Sequence, residues 1–212
     1  MKTIFDDIKT VLFQGDSITD CGRDYQNKDS LGAGYPAKIA GVWENIFPEK
    51  KLRFINRGGS GNRAIDLLSR YETDFKALRP DLVSILIGIN DTWRRYDSGD
   101  PTTAADFEKN YRTLLENLKR DLPKAIIVIM EPFLLKAAPP KDWREDLDPK
   151  IQAARKLAKE YADVFIPLDG IFTRYAVEGL DEAVMAADGV HPTPTGHGII
   201  ALQWLKALGA LR

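Results

Sequence analysis

The chain has 212 residues, with 30 Lys and Arg against 31 Asp and Glu, for a formal charge of −1. That balance gives no electrostatic case for nucleic acid or for an anionic membrane surface. The 44% apolar and 29% charged residues are the composition of a globular protein with a real core. The lone Cys21 excludes an internal disulfide, and no apolar run approaches the ~18 residues of a membrane helix. Met1–Ile8 has no apolar stretch of signal-peptide length. The expectation is one cytoplasmic domain over residues 1–212, with no membrane partner and with the subunit count open, a homo-oligomer included.

Strands and helices alternate along the chain. The apolar run Thr10–Phe13 predicts a first strand, and helical spacing over Tyr35–Phe47 follows, with Pro36 in its first turn. Leu52–Ile55 predicts strand two, Ala64–Leu78 one or two short helices, and Leu82–Ile87 strand three. The clearest helix is Ala104–Leu122, where Phe107, Tyr111, Leu114, Leu115 and Leu118 share a face. Ala125–Met130 predicts strand four, and Leu134–Asp148 reads as a long loop above it. Pro149–Tyr161, strand Val164–Leu168 and helix Thr195–Leu208 complete the order. The strands are apolar throughout rather than alternating, as parallel strands covered on both faces are. The prediction is a three-layer α/β/α sandwich around a flavodoxin-like five-stranded parallel sheet, order 2-1-3-4-5.

Polar signatures stand where these strands end, which is where such sheets bind ligands. Gly15-Asp16-Ser17-Ile18-Thr19-Asp20 follows strand one, and Asn56-Arg57-Gly58-Gly59-Ser60-Gly61-Asn62 follows strand two. Gly88-Ile89-Asn90-Asp91 follows strand three, and Asp188-Gly189-Val190-His191-Pro192 lies near the C-terminus. A serine hydroxyl needs a base to take its proton, and the chain offers only His191 and His197. Asp188 is placed to hold His191 Nδ1–H and leave Nε2 facing Ser17. His197, inside the last helix, is expected to be structural. The oxyanion formed on an ester calls for preorganised donors, for which the Ser17 N–H, the Gly58 N–H and the Asn90 side-chain amide are the candidates.

Other chemistries fit less well. No Gly-x-Ser-x-Gly elbow surrounds Ser60, and no P-loop occurs. Gly32–Ala37 stands too far beyond strand one for a dinucleotide fingerprint, and two histidines supply few nitrogen ligands for a metal centre.

With Ser17, Gly58, Asn90 and His191 in four spaced blocks, the sequence resembles the SGNH hydrolases, also called the GDSL esterase/lipase family. The resemblance implies a Ser17–His191–Asp188 triad, an oxyanion hole from Ser17, Gly58 and Asn90, and no cofactor; the scarcity of histidine is what argues against a metal. The run Gly88–Arg94, with Asn56–Asn62, is similar to bacterial acetylxylan and acetyl-xylooligosaccharide esterases. Some of those carry a tryptophan just before the triad aspartate, where this chain has Ala187. The expected substrate is therefore a short acyl ester of a small molecule or oligosaccharide, with an acyl lipid or thioester as the alternative. Trp93 and Trp143, in loops after strand ends, are expected as substrate contacts together with Asp16 and Arg94. Arg57, Arg63, Arg94, Arg95 and Arg144 are expected to favour a polar ligand.

Overall fold

The computed structural model describes residues 5, 7–136 and 142–211, with Asp142 by its backbone alone. Five parallel strands run β1 (Thr10–Gly15), β2 (Arg53–Asn56), β3 (Leu82–Leu86), β4 (Ile126–Met130) and β5 (Val164–Ile166). They lie in the order β2-β1-β3-β4-β5, as the alternation predicts. The register pairs Phe13 with Asn56, and aligns Gly15 with Leu86, Leu86 with Met130 and Met130 with Ile166. The carboxyl ends of the strands are therefore level, and the segments that follow them emerge along one edge.

Successive side chains of each strand point to opposite faces, and both faces are apolar. Val11, Phe13, Leu82, Leu86, Val128 and Met130 pack with Tyr35, Ile39 and Trp43 of α2 (Tyr35–Ile46), Phe172 of α8 (Leu168–Val177) and Trp204 of α10 (Pro194–Ala207). Leu12, Ile55, Val83, Ile85, Ile127 and Ile129 pack with Leu67 of α3 (Ala64–Ser69), Leu114 and Leu118 of α6 (Ala104–Asp121) and Leu157 of α7 (Asp142–Tyr161). Each such aliphatic or aromatic side chain contributes roughly 1.5–3 kcal/mol by leaving water. Ser84, a hydroxyl inside buried β3, accepts from Trp204 Nε1 at 3.0 Å and so avoids an unmet polar group.

Two departures from the sequence reading bear on the site. The helix expected from Pro149 starts at Asp142, so Trp143 and Arg144 stand on α7 and not in a loop. Pro149 lies inside it, with no N–H to offer the Glu145 carbonyl. Pro139-Pro140 lie outside the described residues. A helix read as loop, α5 (Ile89–Asp97), follows β3 directly. The segment from Ala64 forms two short helices, α3 and α4 (Tyr71–Asp74), closed by a 3₁₀ turn, Lys76–Leu78, in line with the short helices expected there. Among the described residues no helix is long and apolar enough to cross a membrane.

Candidate active site

The turn after β1 is set by Asp16. Its Oδ1 accepts the Ile18 N–H at 2.9 Å, capping the four-residue helix α1 (Ser17–Asp20). Ser17 is thereby the first residue of α1, half-buried, and its N–H meets no acceptor among the described residues. At the end of β2 the buried Asn56 fastens the neighbouring loop to this helix. Its Nδ2 donates to the Thr19 carbonyl at 2.7 Å, and its Oδ1 accepts the Gly58 N–H at 2.8 Å. A Cβ on Gly58 would fall 2.2 Å from the Asp20 nitrogen, so only glycine permits this approach.

That contact corrects one expectation. The Gly58 N–H is committed to Asn56 and does not face an incoming oxyanion. The same loop offers another donor at Gly61, in the left-handed region at φ +80°, whose N–H has no acceptor among the described residues. Arg94 Nη2 lies 2.6 Å from where a Gly61 Cβ would stand. The next residue, Asn62, accepts Asn90 Nδ2 on its carbonyl at 3.1 Å and Arg70 Nε on its Oδ1 at 2.9 Å. Arg70 also reaches Gln14 Oε1 at 2.8 Å, tying the loop to the end of β1.

Asn90, Trp93 and Arg94 are spaced i, i+3 and i+4 on α5 and so share one face. Trp93 lies with its ring centroid 5.6 Å from that of His191, while Arg94 abuts Gly61. This face therefore reaches the histidine through Trp93 and the Gly61 turn through Arg94. Asn90 is buried and keeps one amide proton beyond its bond to Asn62.

From the C-terminal side, Asp188 Oδ1 accepts the N–H groups of Val190 at 2.9 Å and His191 at 2.7 Å, forming the turn that presents the imidazole. Asp188 Oδ2 stands 2.6 Å from His191 Nδ1, and His191 Nε2 stands 2.9 Å from Ser17 Oγ. Partial burial pushes the Asp188 carboxyl up. The bonds from the His191 ring and the two N–H groups outweigh it and hold that carboxyl below its usual range. An ionised Asp188 fixes the Nδ1–H tautomer, which leaves the Nε2 lone pair toward the hydroxyl. The arrangement can take a proton from Ser17 as its oxygen attacks a carbonyl.

Two of the expected substrate contacts lie elsewhere. Asp16 is 1% exposed; burial pushes its carboxyl up to about 7, and its Oδ2 has no hydrogen-bond partner. Trp143, 7% exposed, stands behind Trp93 with centroids 5.0 Å apart and stacks on Tyr96 at 5.1 Å. It supports the wall that Trp93 presents. The arginines expected to attract a polar ligand are largely spoken for. Arg144 grips Asp169 at 2.6 and 2.7 Å, Arg63 holds Asp100 at 2.8 Å, and Arg95 holds Asp146 at 3.1 Å. Arg94 pairs with Asp97, and Arg57 donates to the carbonyls of Lys28 and Asn56. Asn56 and Gly61 are the residues that sequence reasoning passed over. The available signals were a polar residue closing an apolar strand and a glycine directly before Asn62.

Known proteins carry the same frame. A profile of the GDSL-like lipase/acylhydrolase family matches residues 13–199. The chain is 35% identical over 205 residues to an acetylxylan esterase of Geobacillus stearothermophilus, covering 94% of this chain and 93% of that one. The crystal structure of an acetylxylan esterase from the same organism superposes with a TM-score of 0.86 at 34% identity, over 95% of this chain and 94% of that one. Two further structures of it are described as catalytic mutants, one at a serine and one at a histidine. An α/β hydrolase enzyme from the metagenome of Lake Arreo, Spain, gives 0.86 at 31% identity over 96% of both chains. The chain belongs to the GDSL-like lipase/acylhydrolase family, and it is a carboxylic ester hydrolase.

Proposed function

We propose that this esterase removes short acyl groups, acetyl above all, from carbohydrates such as acetylated xylooligosaccharides, through a covalent Ser17 intermediate. The observation that carries the reading is the unbroken contact chain from Ser17 Oγ through His191 to Asp188, at 2.9 and 2.6 Å. Ser17 Oγ attacks the ester carbonyl carbon while His191 Nε2 takes the hydroxyl proton. The oxyanion is met by the Ser17 N–H, the free Asn90 amide proton and the Gly61 N–H, with Gly61 in the place first expected of Gly58. Collapse of the tetrahedral adduct breaks the bond to the sugar oxygen, which receives the proton from His191. Water then attacks the acyl-serine and gives its proton to His191. The second collapse releases the acid and restores the hydroxyl, with Asp188 ionised throughout.

Acetyl is favoured because Asn90 and Gly61 are brought together by the Asn62 carbonyl, at crowded strand ends. The sugar is favoured by the Trp93 ring beside His191, an aromatic face suited to a pyranose, and by the name of the Geobacillus relative. Ala187, directly before Asp188, is exposed and carries no aromatic ring.

The test compares acetyl, butyryl and octanoyl esters with acetylated xylose and xylooligosaccharides, using the Ser17→Ala variant as the blank. The expected result is kcat/KM falling with chain length, turnover of the sugar esters, and no hydrolysis by Ser17→Ala. In an apolar groove each added methylene is worth ~0.8 kcal/mol. Efficiency that climbs to octanoyl, with no sugar deacetylated, gives the acyl-lipid or thioester reading instead.

A further inference from the structure

The second histidine, His197, is 4% exposed in the first full turn of α10 and is gripped on both ring nitrogens. Nδ1 accepts the Tyr35 N–H at 3.1 Å, so it carries no proton. The ring's proton therefore sits on Nε2, 3.3 Å from Cys21 Sγ. Burial, helped by the charges of Lys38 and His191, pushes the ring down to about 4, so the neutral tautomer is the one present near neutral pH.

Both partners of His197 belong to the support of the serine. Cys21 caps the C-terminal end of α1, its N–H bonded to the Ser17 carbonyl at 2.9 Å. Its backbone sits at φ 40°, ψ 51°, a left-handed conformation that a side chain with a Cβ does not favour. Something must hold it there, and the imidazole lies against its sulfur. Gly34 completes the contact, since a Cβ on it would fall 2.7 Å from Cys21 Cβ and 3.0 Å from the His197 ring. Tyr35, whose N–H the ring accepts, turns its hydroxyl to Thr19 Oγ1 at 2.9 Å, inside α1. His197 itself rides on α10, which begins at Pro194, three residues after His191.

We propose that His197 is a positioning residue: from the element that follows the base, it holds Cys21 and Tyr35 and so fixes Ser17 Oγ against His191 Nε2. The proposal rests on the reading of Ser17 as nucleophile and His191 as base. It adds the statement that α1, with a single turn of its own, takes its placement from α10.

The test measures kcat and KM on a short ester, thermal unfolding, and the rate at which a fluorophosphonate probe labels Ser17, with the labelled residue identified by mass spectrometry. The variants are His197→Ala, His197→Gln, His197→Asn and Cys21→Ala. Glutamine keeps a donor near the Nε2 position and asparagine only an acceptor near Nδ1. In His197→Ala, kcat and the labelling rate should fall together, by roughly 10–10², with KM unchanged. His197→Gln should recover more of both than His197→Asn. Cys21→Ala should match the loss, and adding it to His197→Ala should cost no more, as expected of two residues acting as one unit.

Labelling of Ser17 at the wild-type rate in folded His197→Ala overturns the positioning role and leaves the nucleophile in place. So does a change in KM alone. Where His197→Ala does not fold, Cys21→Ala at wild-type rates is the overturning result. A wild-type protein that the probe does not label at Ser17 overturns the underlying reading instead.

Discussion

Replacing Asp16 with asparagine removes an ionisable group from directly beneath the serine while keeping its shape. The amide oxygen of the new side chain can still accept the Ile18 N–H, now bonded at 2.9 Å. Burial pushes the Asp16 carboxyl up to about 7 in the folded protein, against ~3.9 in an unfolded chain. Between those values the native state holds a proton that the unfolded state has lost, so wild-type stability falls as pH rises. At ~1.4 kcal/mol per pH unit the loss is on the order of 4 kcal/mol, absent below pH ~4 and complete above pH ~7. The Asp16→Asn variant has nothing to ionise there and escapes that loss. Its amide nitrogen would sit where Oδ2 now lies without a partner, a cost of ~1–3 kcal/mol that does not vary with pH. Urea unfolding of both proteins from pH 4 to pH 8 should show the difference in stability moving toward the variant by that amount. The titrations of Asp91 and His197 are common to both proteins and cancel. A difference that stays flat across the range would show that the carboxyl is hydrated and ionised throughout, and would refute the burial argument.

Asn90→Ala should lower kcat by roughly 10²–10³, the scale for one lost oxyanion donor, with KM nearly unchanged in steady-state kinetics on an acetyl ester. Gly58→Ala and Gly61→Ala should separate structure from chemistry. The first drives a Cβ to 2.2 Å from the Asp20 backbone and should lower Tm through that clash. The second puts a Cβ on a residue at φ +80°, a strain of ~1–2 kcal/mol, with only the far end of Arg94 in its way, and should lower kcat by more than its smaller loss of Tm accounts for. Asp146→Ala strips the fully buried Lys150 ammonium of its carboxylate at 2.5 Å, leaving Thr92 Oγ1 and the residue-146 carbonyl as acceptors. Chemical denaturation should register a loss of ~3–5 kcal/mol, the cost of an uncompensated buried charge.

The sheet was legible because its strands are buried on both faces, which writes unbroken apolar runs into the sequence. Turn chemistry at the strand ends was legible too, since Ser17, Asn90 and the Asp188–His191 pair interrupt or follow those runs. Helix α5 was not, because Ile-Asn-Asp-Thr-Trp-Arg-Arg-Tyr-Asp is mostly polar. Ile89, Trp93 and Tyr96, spaced i, i+4 and i+7, were its only periodic trace. The start of α7 was masked by Pro149, a residue suited to the first turn of a helix and here taken into the body of one. Gly58 and Gly61 could not be told apart by residue type. Both are glycines the backbone needs, one for close packing and the other for a positive φ, and only the partner of each N–H separates them. Trp143 and Arg144 were misplaced for the same reason as α7: once the helix begins at Asp142, one side chain turns to Trp93 and Tyr96 and the other to Asp169.

The bond between Ser17 and His191 joins residues 174 positions apart. The Cys21–His197 contact behind it spans 176, and closing such long loops is entropically costly until the intervening layers have formed. Hydrolytic competence should therefore arrive last during folding, after the sheet is laid down and once the terminal helix has docked. A nascent chain halted before Asp188 would already display the serine, its capping aspartate and Asn90, yet have no group to take the proton. The appearance of ester hydrolysis after dilution from denaturant would then time the final step of assembly, separately from the earlier return of secondary structure seen by circular dichroism.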